Sequence, residues 1–290
     1  MPPPQPAPRV RSLHIVQPWG RFAAAPPGEA ERDVPVTERA ARRDRGVGSA
    51  WRPDRAPGAG AIPWHARQMS LARDSYLVGR AVARVLADST RTHEIHRVEE
   101  ITGRPRYRAL LAELAGDVEG RRLLAARPEL SSEHVDFDAL RRLPATTLGG
   151  AYARHLDDNG ITADYQAAAT RHVEDADMAY LMRRFRQTHD VWHALLGLGI
   201  AGHEEVVIHA FSWGQLRLPV SAMVVGFGTL KHLVLERRWG ALRHSLREAY
   251  QVGRDAAPLL GVVWEEQWAD PLDQVRARYR VKPLERRWLA

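Results

Sequence analysis

Three side chains of the types that bind metal ions lie close together in the middle of the chain: His189, Asp190 and His193. In a helix, residues three or four apart lie on the same side, so the two histidines share one face and Asp190 shares the adjoining face with His193. Neutral imidazoles and carboxylates are ligands for divalent cations such as zinc, iron or magnesium. The spacing therefore predicts three ligand-type groups converging on one point.

A fourth ligand-type residue, Glu205, follows a stretch that three glycines interrupt between residues 197 and 202. Each glycine lowers helix stability by about 1 kcal/mol relative to alanine. We expect the chain to turn there and a second helix, beginning near His203, to run back beside the first. Two imidazoles and two carboxylates would then surround a divalent cation and offset its charge. The alternative is a hydrogen-bonded histidine and aspartate in the core beside Trp192, with no metal.

The composition of the chain excludes several kinds of functional site and one class of binding partner. The 290 residues include no cysteine, which excludes disulfides, thiolate nucleophiles, iron–sulfur clusters and zinc sites with sulfur ligands. With 44% apolar and 27% charged residues, the chain is typical of a globular protein. The net charge of +7 is spread along the chain and no nucleic-acid-binding module is visible, so we expect no nucleic-acid partner.

Apolar residues recur with helical period from Ser70 onward, and no run alternates with the period of a strand. Residues 1–63 are rich in Pro, Arg, Ala and Gly, lack either period, and are predicted to be a disordered arm. We predict an all-α fold with one multi-helix, bundle-like domain over residues 64–290. Helices are expected near residues 70–88, 105–126, 136–142, 146–158, 172–198, 203–213, 217–237, 240–257 and 271–279.

The longest uncharged apolar stretch, Leu218–Leu230, is shorter than the roughly 20 residues needed to cross a bilayer. The first residues lack the apolar core and small-residue cleavage site of a secretory signal. We therefore expect an intracellular protein with no transmembrane helix.

The pattern His189-Asp190-x-x-His193, followed after eleven residues by Glu205, resembles the signature of the Coq-four family of ubiquinone (coenzyme Q) biosynthesis proteins. The similarity covers roughly residues 140–235, and a four-ligand motif with matching blocks on both sides is a specific signal. The blocks are Leu143–Gly149 with Ala151-Tyr152, Ala179–Arg186, Ala210-Phe211 and Gln215–Pro219. Departures from the family pattern occur at Gln187, His203-Glu204 and Ser212-Trp213.

The resemblance implies a mainly helical protein that associates peripherally with membranes and acts on polyprenylated ring precursors of ubiquinone. It implies oxidative decarboxylation at ring carbon one, where a hydroxyl replaces a carboxyl, and a role in organising the other biosynthetic enzymes. It also implies that His189, Asp190, His193 and Glu205 bind a divalent cation, zinc first, with iron or magnesium as alternatives. We expect such a protein in the cytoplasm, on the inner face of the cell membrane, or on the matrix side in mitochondria. A homo-oligomer is compatible with these expectations.

Tyr180, Arg184 and Arg186 are candidate substrate-binding residues. Planar guanidinium groups suit a carboxylate, and a tyrosine hydroxyl could contact the ring. The alternatives are a solvated helix face for the arginines and aromatic packing for the tyrosine. His209, four residues after Glu205, is a candidate for orienting the ligands.

The apolar stretch Leu218–Leu230 has two interpretations once the resemblance is considered. It could line a channel for an isoprenoid chain, or it could form a buried core helix, which is the commoner fate of such a run.

Two rival functions remain open from the sequence. An HD-type metal phosphohydrolase also uses adjacent His and Asp residues on a helix; it would need His155 or His172 upstream and a distant aspartate such as Asp255. That hypothesis leaves His193 and Glu205 unexplained. A non-catalytic scaffold for prenylated intermediates could use the same four ligands only to brace two helices.

Overall fold

The computed structural model describes residues 64–87, 92–164, 173–236 and 239–285. Within these ranges the regular elements are helical, with one isolated bridge between Thr147 and Pro271, which confirms the all-α prediction. The predicted disordered arm, residues 1–63, lies outside the described residues, and the domain boundary after it stays a prediction. The helices are α1 (Trp64–Ala87), α2 (Thr92–Thr102), α3 (Arg104–Gly116), α4 (Val118–Ala126), α5 (Phe137–Arg142), α6 (Leu148–Asn159), α7 (Ala176–Leu196), α8 (Gly202–Leu216), α9 (Pro219–Glu236), α10 (Trp239–Asp255) and α11 (Leu272–Tyr279).

The chain divides into two units within α1. Residues 64–76, the first half of that helix, belong to one unit. The described residues from Leu77 to 285 belong to the other, which contains the predicted metal ligands.

The structure differs from the predicted helices at two places: one predicted helix is broken in two, and one helix was not predicted. The expected helix over 105–126 is broken into α3 and α4 because Asp117 leaves the helical conformation and its side chain accepts a hydrogen bond from the Gly120 amide, which caps α4. Helix α2 was missed because its sequence is mostly polar. The carboxylates of Glu94, Glu99 and Glu100 on α2 are nevertheless buried, and each accepts a hydrogen bond from an arginine.

Helix α7 is the most deeply buried helix near the site and carries three of the predicted ligands. It begins where the Asp175 side chain accepts a hydrogen bond from the Met178 amide. It ends at Gly197, whose φ of 72° is a left-handed conformation that favours glycine and lets the chain turn. Buried residues occupy almost the whole surface of α7, so its polar side chains need partners inside the protein.

The turn after α7 leads directly into α8. The Glu204 carboxylate accepts hydrogen bonds from the Gly199 amide at 2.9 Å and the Ala201 amide at 3.2 Å. These contacts fix the turn and satisfy backbone donors at the start of α8. The glycine-rich break predicted from the sequence is therefore the point where α7 ends and α8 begins.

Helix α10 crosses α8 at a glycine, and the close approach predicts a stability effect. A Cβ at Gly253 would collide with the backbone carbonyl of Phe211 on α8. We expect Gly253→Ala to lower the free energy of unfolding by about 1–3 kcal/mol, because the two helices must move apart. Gly226 on α9 is the matched control: a Cβ there meets nothing within 4 Å, so Gly226→Ala should leave stability unchanged or raise it by up to about 1 kcal/mol. Urea unfolding measures both, and equal effects would contradict the assigned close approach.

Candidate metal centre

Helices α7 and α8 bring the four sequence-predicted ligands together. Ligand atoms of His189, Asp190 and His193 lie within 4.8 Å of one another. Glu205, in the first turn of α8, places Oε1 3.5 Å from Nε2 of His193. The Nδ1 atom of His189 lies 3.8 Å from Oδ1 of Asp190. The expected turn between the two helices thus produces one cluster of two imidazoles and two carboxylates.

The donor set fits a divalent cation. His193 is fully buried, and its Nε2 and the Nε2 of His189 have no hydrogen-bond partner among the described residues. Two ligands bound tetrahedrally at 2.0–2.1 Å lie about 3.4 Å apart, close to the separation of the His193 and Glu205 ligand atoms. A bound cation would satisfy nitrogens that otherwise lose hydrogen bonds to water without replacement. Metal binding by these residues stays a prediction.

The site is closed on one side and open on the other. Asp190 and His193 are buried, with side chains 5% and 0% exposed. The Glu205 side chain is 28% exposed, which makes it the most accessible of the four. A ligand or substrate would therefore reach the cluster on the Glu205 side.

Burial and neighbouring charges set the protonation of the cluster. Burial lowers the pKa of His193 far below its usual range, and positive charge on His189, His155 and His209 acts in the same direction. The neutral form that results is the one that binds metals. Burial also lowers the pKa of His189, but Asp190, Glu205 and Glu99 outweigh this effect and raise it above the ordinary value.

The raised pKa of Glu205 predicts a pH-dependent stability of the metal-free protein. Burial raises this pKa from 4.5 to about 7, although His189 opposes the shift. The folded state keeps the proton of Glu205 up to a higher pH than the unfolded state does. The stability that this proton contributes is therefore complete below about pH 4.5 and is lost as the pH rises through 7. The loss is on the order of 3 kcal/mol, since one pKa unit corresponds to about 1.4 kcal/mol.

Urea unfolding of metal-free protein at pH 5, 6, 7 and 8 measures this slope. Glu205→Gln keeps a neutral side chain of the same size and should give a flatter profile. A wild-type profile that matches that of Glu205→Gln would contradict the assigned proton.

Two further histidines lie at the cluster. His155 on α6 stacks on His193, with ring centroids 5.1 Å apart and planes inclined by 18°, and its Nε2 is buried without a partner. His209 on α8 lies with its ring centroid 5.4 Å from that of His189. Ligand atoms of His189, Glu205 and His209 also lie within 4.8 Å of one another. His155 was predicted only as a ligand of the rival phosphohydrolase, because nothing in the local sequence spacing shows that α6 packs against α7.

Arg184 and Arg186 are buried, so the interpretation of a solvated helix face was wrong. Arg184 donates to both oxygens of Glu265, at 2.6 and 2.8 Å. Arg186 donates to Glu99 and Glu100, each at 2.9 Å. Because these guanidinium groups already have internal carboxylate partners, their contacts give no support to the prediction that they bind a substrate carboxylate.

Tyr180 has a similar structural explanation. Its ring is buried, and its hydroxyl donates to the Pro128 carbonyl at 3.2 Å. This contact matches the packing alternative, and a substrate role for Tyr180 stays a prediction.

The aspartate named for the phosphohydrolase rival, Asp255, has a different environment. Asp255, at the end of α10, is exposed and pairs with its neighbour Arg254 at 2.9 Å. His172 lies outside the described residues. Of the extra ligands which that hypothesis required, the described structure brings only His155 to the cluster.

The apolar stretch Leu218–Leu230 forms most of α9 and is only partly buried. Leu218 and Val220 lie in the core, whereas Phe227 and Leu230 are 40% and 56% exposed. The core-helix interpretation therefore describes part of the stretch, since Met223 and Val225 also pack against the core while Phe227 and Leu230 do not. Among the described residues, no helix combines the length and the apolar character needed to span a membrane.

Comparison with known proteins defines the class. The family model described as "Coenzyme Q (ubiquinone) biosynthesis protein Coq4" matches residues 64–285. The mitochondrial ubiquinone biosynthesis protein COQ4 homolog of Drosophila ananassae is 32% identical over 206 residues, which are 71% of this chain and 76% of that protein. The mitochondrial COQ4 of Yarrowia lipolytica is 31% identical over 217 residues, 74% of this chain and 82% of that one.

A solved structure agrees in fold. A crystal structure from Nostoc punctiforme, provisionally described as a ubiquinone biosynthesis protein, superposes with a TM-score of 0.56 at 24% identity. It covers 71% of this chain and 97% of that one. The family-model match over residues 64–285 and the COQ4 relatives place this chain, whose described residues form a helical fold, in the ubiquinone biosynthesis class. The chain belongs to the Coq4 family, which confirms the resemblance found in the sequence.

Proposed function

We propose that this protein catalyses a metal-dependent oxidative decarboxylation in ubiquinone biosynthesis. The carboxyl group at ring carbon one of a polyprenylated 4-hydroxybenzoate-derived precursor would leave as carbon dioxide and a hydroxyl would take its place. This exchange is a two-electron oxidation, so it requires an external oxidant such as dioxygen to accept the two electrons. The observation that supports this function most is the convergence of His189, Asp190, His193 and Glu205, with buried imidazole nitrogens that have no hydrogen-bond partner among the described residues. In a member of this family, a cation held by such a cluster would suit a reaction on an aromatic ring that carries a carboxylate.

The substrate supplies part of its own activation. Its phenol lies para to the carboxyl, so the phenolate increases electron density at the carbon that must lose carbon dioxide. A bound cation would polarise the carboxylate and hold the ring in place, and an iron ion could in addition react with oxygen. The cation is zinc, iron or magnesium in this proposal.

The residues of the chain prepare the site for that cation. Burial keeps His193 neutral and available as a ligand. Asp190 places Oδ1 3.8 Å from Nδ1 of His189 and, with Glu205, supplies negative charge that would offset the charge of the cation. The partly exposed Glu205 admits the substrate from the α8 side, while the buried side of α7 excludes water.

We further propose a peripheral location at a membrane. Exposed Phe227 and Leu230 on α9 would contact the lipid surface from which a polyprenylated substrate is drawn. The curated relatives named above are mitochondrial proteins, which suits the matrix side in a eukaryote and the inner face of the cell membrane in a bacterium. Other ubiquinone biosynthesis enzymes would be the partners.

The proposed function is tested by mass spectrometry of prenylated quinone intermediates in the source organism after deletion of this gene. A carboxyl-bearing prenylated precursor should accumulate and should disappear on complementation with the wild-type gene. An unchanged quinone profile would contradict the substrate assignment.

Complementation with Glu205→Ala separates an enzyme from a scaffold. A protein that stays folded, still co-purifies with the biosynthetic enzymes and fails to form product supports catalysis. Full restoration of ubiquinone by Glu205→Ala would instead favour the scaffold.

A further inference from the structure

His209 lies at the cluster although the four-ligand motif does not include it. It follows Glu205 by four residues on α8, so both side chains project from the same face of that helix. One ligand atom each of His189, Glu205 and His209 lie within 4.8 Å of one another. This is the same kind of proximity that joins His189, Asp190 and His193.

The surroundings of His209 hold the ring as a metal-binding imidazole is usually held. Its Nδ1 lies 3.3 Å from the hydroxyl of Ser221, a fully buried residue at the start of α9. Metal-bound histidines commonly use one ring nitrogen for such a hydrogen bond, which orients the other nitrogen toward the ion. The ring of His209 also packs against the ring of His189, with the two ring centroids 5.4 Å apart.

We propose that His209 is a fifth protein ligand of the cation bound by His189, Asp190, His193 and Glu205. The inference rests on the metal dependence of the proposed function. Three imidazoles and two carboxylates exceed the four ligands of a closed tetrahedral zinc site. They suit a divalent ion that accepts more than four ligands, and of the three ions named above iron is the one that both imidazole and carboxylate ligands favour.

His155 provides a contrast within the same cluster. Its ring stacks nearly parallel on that of His193, so it contacts this ligand through its face. Neither group of ligand atoms that lie within 4.8 Å of one another among the described residues includes His155, so we assign this ring to packing beside the ligand His193. With His209 as a ligand and His155 outside the metal site, three imidazoles bind the metal, and an experiment can measure that number.

X-ray absorption spectroscopy at the edge of the bound metal, after elemental analysis of the purified protein, counts these imidazoles. The wild type should show three bound imidazoles. His209→Gln, which keeps a polar side chain beside Ser221, should show two, and its metal dissociation constant should rise at least about tenfold. His155→Phe keeps the stacked ring and Ser221→Ala keeps the imidazole, so both should retain three.

Circular dichroism and thermal unfolding confirm that each variant is folded, and the wild-type count tests the inference without any variant. A count of two in the wild type, or a count that His209→Gln does not change, overturns the ligand assignment and leaves the metal-dependent function standing. A folded wild-type protein that binds no divalent metal under any loading condition overturns both proposals.

Discussion

Purified His193→Ala protein is expected to lose its metal and to turn over a prenylated 4-hydroxybenzoate-type acid at least about a hundredfold more slowly than wild type. His193 is fully buried and faces Glu205 across the two helices, so its removal takes away the ligand that joins α7 to α8. Charge stabilisation by a bound cation is worth several kcal/mol, and each 1.36 kcal/mol is a factor of ten in rate. Metal content and turnover are measured on the same preparation.

Two controls make the loss interpretable. His134 is an exposed histidine that pairs with Ser131, and His134→Ala removes an imidazole without touching the cluster. His193→Gln keeps more of the side-chain volume, so it separates loss of a ligand from the cavity that alanine would leave. A folded His193→Ala protein with full turnover would exclude metal-dependent catalysis at this site.

Replacing Arg186 with methionine is expected to lower the free energy of unfolding by about 3–5 kcal/mol at neutral pH. The guanidinium of Arg186 lies between the carboxylates of Glu99 and Glu100, and all three side chains are almost fully buried. Glu99 also accepts a hydrogen bond from Tyr107 at 2.6 Å. Without the arginine, both buried carboxylates lose their ion pair with Arg186, which is why the cost exceeds that of an exposed ion pair.

The pH dependence distinguishes this mechanism from a simple packing defect. Burial already raises the pKa of Glu99, and Arg186 is its strongest opposing influence. Loss of the arginine raises this pKa further, so the destabilisation should be smaller at pH 5, where the carboxyl takes up a proton, than at pH 8. A cost that is equal at both pH values would indicate lost packing alone.

An exposed pair is the matched control for Arg186. Arg122 and Glu266 form a pair in which both side chains are about half exposed. Arg122→Met should cost no more than about 1 kcal/mol, because water screens and replaces that interaction. Thermal and urea unfolding of the two variants give the comparison directly.

Much of the candidate site could be predicted from sequence because its geometry is local. The spacing of His189, Asp190 and His193 on one helix follows from the helical repeat. Gly197 ends α7 in a left-handed conformation that glycine favours, and the Glu204 carboxylate stabilises the turn that follows. These are interactions between near neighbours, so the residues themselves indicate them.

The surroundings of the site could not be predicted in this way. The sequence around Arg184 and Arg186 is compatible with a polar, solvated helix face. In the structure each guanidinium donates a hydrogen bond to a carboxylate more than 80 residues away in the chain. Helix α2, which supplies Glu99, was missed because several of its buried residues are charged, so its sequence shows no clear apolar face. Burial of a charged side chain depends on a partner from another element, and local periodicity contains no information about that partner.

The sequence by itself determined the helical class, the family and the four ligand-type residues, because period, turn residues and motif spacing are properties of short segments. Only the tertiary structure decided that His155 joins the cluster and that Arg184 and Arg186 on α7 pair with carboxylates of other elements. Those outcomes depend on which helices pack together. Packing is selected by the burial of apolar surface and the pairing of buried charge across the whole fold.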